Sequence, residues 1–204
     1  MRSHVLIVVF SGLLVGACSS DGIDSDEEAR RAYLGLDGSI EKSINLGFDG
    51  FNTASSANIS PQATTGTLAG TLTVTGQVDQ GASDNKGMRL YVAMVDYTDG
   101  VFTVVLDDEE IEVDLTYNTS AVVAEQPYLQ LSLRNIPDGD FTGSLTGTYA
   151  LTGDIEGDVT LSLTMAGEIQ DGGGGLVVRV PGSTTITGTA QTGDDGVYDV
   201  NVTL

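Results

Sequence analysis

The chain has no tryptophan, and it has one cysteine, one histidine and four prolines among 204 residues. Each shortage excludes something. His4, the single histidine, lies within a short apolar leader, so the chain beyond that leader has no imidazole for a Ser-His-Asp triad or a Cys-His nucleophile. With Cys18 as the only thiol, no intramolecular disulfide can form, and His- or Cys-ligated zinc and haem sites are excluded on composition. Basic side chains are scarce as well, 8 against 29 acidic ones, for a formal net charge of -21. Such a surface repels phosphate backbones and anionic headgroups, which argues against nucleic-acid binding. After the leader no apolar run approaches ~18 residues, so no transmembrane helix is expected.

The leader itself is informative. Met1-Arg2-Ser3-His4 gives a basic start, and Val5 to Val15 is apolar apart from Ser11 and Gly12. Small residues follow in Val15-Gly16-Ala17-Cys18. A basic start, a core of roughly 7–15 apolar residues and a small-residue cut site describe a secretory signal peptide. Ending in Val15-Gly16-Ala17-Cys18, it resembles the lipobox of bacterial lipoproteins. That resemblance covers about the first twenty residues. It implies diacylglycerol on the Cys18 sulfur, cleavage before Cys18 and acylation of the new amino terminus. Two or three acyl chains, at about 0.8 kcal/mol per buried CH₂, would hold the protein on a membrane permanently. In that class the residue after the cysteine helps sort between membranes, and Ser19, not Asp, implies the outer membrane of a two-membrane cell.

Three regions follow: 1–17 as the leader, 18–65 as acylated cysteine, tether, helix and loop, and 66–204 as a β domain. Ser19 to Asp24 reads as a flexible acidic spacer. Ser25 with Glu28 three residues on predicts a capping box, and Asp26, Glu27 and Glu28 suit the positive end of a helix dipole. Ala29, Tyr33, Leu36, Ile40 and Ile44 recur on one face of that amphipathic helix, and Gly35 and Gly38 mark where it breaks in two. Asn52 to Thr65, rich in Ala, Ser and Thr with Pro61, reads as an extended loop.

From Gly66 the period is two. Leu72 and Val74 alternate with threonines; Ile111, Val113, Leu115 and Tyr117 with acids and Thr116. The same alternation holds for Leu129, Leu131 and Leu133, for Leu145, Tyr149 and Leu151, and for Val159, Leu161, Leu163 and Met165. It closes the chain at Tyr198, Val200, Val202 and Leu204. One apolar and one polar face is the mark of antiparallel sheet. Turn chemistry separates the runs at Asp99-Gly100, Asp138-Gly139, Gly153-Asp154, Asp171 to Gly175 and Asp194-Asp195-Gly196. The fold class is therefore all-β, an antiparallel β-sandwich or a curved or closed β-barrel of about nine or ten strands. Recurrent pairs such as Gly66-Thr67, Gly70-Thr71, Gly147-Thr148 and Gly188-Thr189 have no fixed period. They read as bulges and bends, which favour a curved sheet. The C-terminal alternation looks like the closing strand of an outer-membrane barrel, yet the aromatics are too few and scattered for lipid-facing girdles.

Two spacings imitate catalysis. Ser83-Asp84-Asn85-Lys86 and Ser39-Ile40-Glu41-Lys42 both match the Ser-x-x-Lys of penicillin-recognising enzymes. The first falls in a hairpin loop between Asp79 and Gly87; in the second, Lys42 is expected to face solvent. A two-carboxylate glycosidase is compatible with so many acids, but nothing selects a pair. The chain is read as non-enzymatic. Calcium is the metal its groups suit, through Asp79, Asp84, Asp107, Asp108, Asp138 and Asp140, with Asp194 and Asp195 in a further turn. None of these matches a known calcium loop, and ordinary turns use the same residues.

Two roles stay open. One is a structural or interaction lipoprotein of the envelope whose β body meets a protein or a glycan, with a calcium-dependent adhesive module as a lesser alternative. The other is a carrier holding a lipid or other hydrophobic ligand between a curved sheet and the helix.

Overall fold

The computed structural model describes residues 25–106, 108–193 and 196–204. The leader, Cys18, the spacer, Asp107, Asp194 and Asp195 lie outside the described residues.

Helix α1 (Asp26–Leu34) opens on the capping box that the sequence predicts: the Glu28 amide donates to Ser25 Oγ at 3.3 Å, and the Ser25 amide donates to the Glu28 carboxylate at 3.2 Å. It stops at Gly35, and α2 (Asp37–Thr53) begins directly after Leu36. The break has a packing cause. A Cβ on residue 35 would lie 2.1 Å from the Tyr117 hydroxyl, which donates at 3.0 Å to the Ala32 carbonyl left free at the end of α1. The expected face is the buried one: Ala29, Tyr33, Leu36, Ile40 and Ile44 are all at most 1% exposed, and Phe48 extends the stripe.

All strand pairing is antiparallel. β1 (Gln62–Thr65), β2 (Ala69–Val78) and β3 (Lys86–Thr98) form one flank. β4 (Phe102–Leu106) and β5 (Glu109–Val113) make a separate hairpin. β6 (Leu115–Asn118) and β7 (Tyr128–Arg134) lie end to end between β3 and β8 (Gly139–Gly153), parted by an excursion that carries a short 3₁₀ turn, Val123–Glu125. β9 (Gly157–Gly173) pairs with β8 on one side and with both β10 (Leu176–Arg179) and β11 (Thr185–Thr192) on the other. β12 (Gly196–Thr203) ends the path β1-β2-β3-β6-β8-β9-β11-β12.

This is the curved-sheet form of the expected all-β class. Helix α1 packs on β12, β11 and β9, and α2 on β1, β2, β3 and β10, so two consecutive helices touch both ends of one 10-stranded sheet. Only a sheet wrapped around them allows that. Strand glycines supply part of the bend. Gly147 and Gly188 have φ of +147° and +145°, a conformation that L side chains rarely adopt, and neither leaves room for a Cβ.

Inside, Leu72, Leu90, Leu129, Leu145, Leu161 and Ile186 meet the helix stripe, with Phe48 edge-on to Phe141 at 5.7 Å and Tyr33 tilted on Tyr198 at 5.7 Å. Outside, β8, β9 and β11 present Thr142, Thr146, Thr160, Ser162, Thr164, Thr187 and Gln191 to water. Among the described residues, no helix is long and apolar enough to cross a membrane.

Two details depart from the sequence reading. The stretch expected as a loop from Asn52 to Thr65 begins inside α2 and ends in β1. Asn52 holds the helix end in place by exchanging two 2.9 Å hydrogen bonds with the backbone of Val177, and β1 is a four-residue edge strand with no buried face to give it an alternating signature. The twelve strands among the described residues exceed the nine or ten expected because β1 lies in that stretch read as loop and because the run from Ile111 to Tyr117 is broken at Asp114 into β5 and β6, which pair in different sheets.

Candidate functional site

Two of the polar clusters among the described residues stand beside a cleft or groove that bears on function. The first lies where the helices join. Lys42 Nζ donates to Asp99 Oδ1 at 2.6 Å and to the Tyr97 hydroxyl at 2.8 Å, and that hydroxyl donates to Asp99 Oδ2 at 2.8 Å. Thr67 adds its amide and its hydroxyl to Asp99 Oδ1, at 2.7 and 2.9 Å. Lys42 therefore does not face open water as its helical position suggests. It is drawn to a carboxylate 57 residues away in the β3–β4 turn. Beside this cluster a cleft of about 210 Å³ runs between Gly35, Gly38, Phe102 and Tyr117.

The cluster has the chemistry of a latch. Burial pushes the Asp99 carboxyl up, but the bonds from Lys42, Thr67 and Tyr97 outweigh it and bring the group down to about 2. Burial lowers Lys42, and its bonds to Asp99 and Tyr97 raise it more strongly, which favours its charged form. Ser39, its Ser-x-x-Lys neighbour, is buried and donates to the Leu36 carbonyl at 2.6 Å. The sign of the pH effect follows. A carboxyl held below its unfolded value of about 3.9 contributes stability above that pH and loses it as pH falls toward about 2. Asp99→Asn is expected to cost about 2 kcal/mol at neutral pH, with the gap to the wild type closing between about pH 4 and pH 2. Urea midpoints across that range test it.

The second place is a groove of about 530 Å³ on the outer face. Its floor is Tyr91 on β3 and Tyr128 on β7, which sit opposite each other in register with ring centroids 5.3 Å apart. Gln77 and Arg89 flank them from β2 and β3. One wall is Asn58, bridged to Gln77 beyond the end of β1; the other is Val123, on the excursion between β6 and β7. Gln77 Nε2 donates to Asn58 Oδ1 at 3.0 Å, and Arg89 donates to Asp79 at 2.7 Å, which fixes both long side chains along the rim. Among the described residues every other aromatic ring lies in the core or packs against it; these two do not. Sequence reasoning missed the pair because Leu90 to Val95 is apolar on both faces and because Tyr91 and Tyr128 are neighbours only through strand pairing.

The calcium candidates are dispersed. Asp79 accepts from Arg89 and from the Gly87 amide, and these bonds hold its carboxyl below the ordinary value. Asp84 lies in the same β2–β3 loop, where its carbonyl accepts from the Ile136 amide at 2.9 Å. Asp108 sits at the β4–β5 turn with φ +65°. Asp138 accepts from the Asp171 amide at 3.0 Å and Asp140 is exposed on β8. Asp107, Asp194, Asp195 and the lipidation candidate Cys18 are outside the described residues. Among the described residues no three or more Asp, Glu, His or Cys side chains come together as a metal site. The Ser83–Lys86 decoy is a turn: Ser83 Oγ accepts from the Asn85 amide at 3.1 Å, and Lys86 Nζ donates to the Gly81 carbonyl at 2.5 Å.

No protein-family model, curated protein or solved structure matches this chain.

Proposed function

We propose that the protein is an exported lipoprotein, anchored through acylated Cys18 to the outer membrane of a two-membrane bacterium, with a non-enzymatic binding role in the cell envelope. The observation that carries this reading is the leader ending in Val15-Gly16-Ala17-Cys18. Two features of the body support it. Its outer face is threonine-rich and its interior apolar, the reverse of a barrel whose outside meets lipid. Tyr33, Leu36, Ile40, Ile44 and Phe48 fill the concave side of the sheet, the volume that a carried lipid would need, so binding falls to the outer surface.

The anchor is tested by expressing the full chain in a two-membrane bacterium and fractionating its membranes. The wild type is expected in the outer-membrane fraction, with an amino-terminal peptide that begins at Cys18 and carries the mass of three acyl chains. Cys18→Ser is expected to lose that mass and leave the outer-membrane fraction. Retention of residues 1–17 on a correctly exported chain, or an unmodified Cys18, would overturn the reading.

A further inference from the structure

We infer that the Tyr91–Tyr128 groove is a binding site for a short, neutral oligosaccharide. The inference rests on the binding role proposed above and gives it a ligand class.

The argument begins with where aromatic rings go. A chain with no tryptophan and few aromatics commits its rings to the core, where each buries 150–250 Å² or so. Tyr91 and Tyr128 are withheld from it, placed side by side in register, and walled by chain segments on both sides. Among the described residues their hydroxyls find no hydrogen-bond partner, so phenol oxygens and ring faces are both offered to a ligand. The rim adds the amides of Asn58 and Gln77 and the Arg89 guanidinium, held by one another and by Asp79. A sugar ring offers the matching pair of surfaces, a C–H face for stacking and an edge of hydroxyls for planar amide and guanidinium groups.

Other ligand classes fit less well. A peptide could add as a strand only at an unpaired edge, and along the groove β3 and β7 are bonded on both sides while β2 is bonded to β3 and to Ala57 and Ile59. A lipid chain needs enclosure, whereas this groove lies open on a polar face. An anion meets a net charge of -21, and the one guanidinium present is already paired with Asp79. The volume falls within the range of roughly 300–1,000 Å³ usual for small-ligand sites.

The test uses the full chain in detergent micelles. Its emission is tyrosine emission alone, since no tryptophan masks it. A set of neutral tetrasaccharides, β-1,4-linked N-acetylglucosamine, β-1,4-glucose and α-1,4-glucose, is titrated beside a proline-rich peptide. At least one tetrasaccharide is expected to bind and change the emission. Tyr91→Ala or Tyr128→Ala is expected to weaken that binding about tenfold, the scale of one lost aromatic contact, while the Phe variants stay within about threefold. Val123→Arg, at an exposed position, is expected to block the groove without disturbing the core. Ser132→Ala, on the outer face of β7 outside the groove, is expected to change nothing. The inference is overturned if none of the tetrasaccharides binds, if only the peptide does, or if binding is indifferent to the Ala and Val123 variants together. The mass of the Cys18 peptide decides the anchor separately, so either idea can fail without the other.

Discussion

Ile44→Asp is expected to leave most of the protein unfolded at room temperature, seen as loss of the sheet signal in circular dichroism. Ile44 is fully buried, one turn from Ile40 and from Phe48, on the helix around which the sheet wraps. Losing its side chain alone costs about 2–5 kcal/mol, and an ionised carboxylate left there without a partner adds several more. Together these approach the whole stability of a domain, roughly 5–15 kcal/mol. Glu41→Ala provides the control on the same helix. Glu41 is exposed and comes no nearer to Arg179 than 3.7 Å, and Arg179 keeps its bonds to Asn45 and Thr184 without it, so the change is expected to stay within about 1 kcal/mol. Equal melting of Ile44→Asp and wild type would mean that α2 is an ornament on a self-sufficient sheet.

Gly188→Val is expected to cost about 4 kcal/mol or more, well above an ordinary surface substitution. The residue has φ of +145°, and an added Cβ would sit 2.1 Å from the Ser162 carbonyl oxygen and 2.9 Å from the Leu163 Cα. Both are backbone atoms of β9, so no side chain can swing away and the β9–β11 ladder must part. Gly81→Val separates the causes. It also has positive φ, +105°, but nothing lies within 4 Å of its would-be Cβ, so only backbone strain of about 1–3 kcal/mol remains. Urea unfolding of the two variants side by side measures the difference. If they fall by the same amount, the contact with β9 contributes nothing.

These two positions also show what could be read from the residues. The helix face at Ala29, Tyr33, Leu36, Ile40 and Ile44 and the alternating runs of β7, β8 and β9 were legible because one face of each meets the core and the other meets water. The capping box at Ser25 and Glu28 was legible because it is local. Gly188 marked a bend, although its partner Ser162 belongs to another strand. Lys42 resisted for the same reason. Its polarity placed it outside, while Asp99, read as a turn residue, is what captures it. The groove was the least legible feature. Tyr91 alternates with Leu90 and Val92 in an all-apolar run, and nothing in a single strand reveals which residue will lie opposite.

The first and last elements of the body hold each other. Asp26 of α1 accepts from the Val197 amide of β12 at 2.9 Å, and Tyr33 packs on Tyr198. Timing follows from this. A ribosome delivers the helices first and the strand that seals them last, so the amphipathic stripe waits without a partner through most of synthesis. Native pairing of this kind is non-local and therefore slow to form. The body stays unfinished until β12 has been delivered, a delay that would suit the proposed export, in which a chain is threaded through a membrane before it folds. For the same reason, a premature stop that removes only the last strand strips the cover from Tyr33 and opens the core at its very beginning.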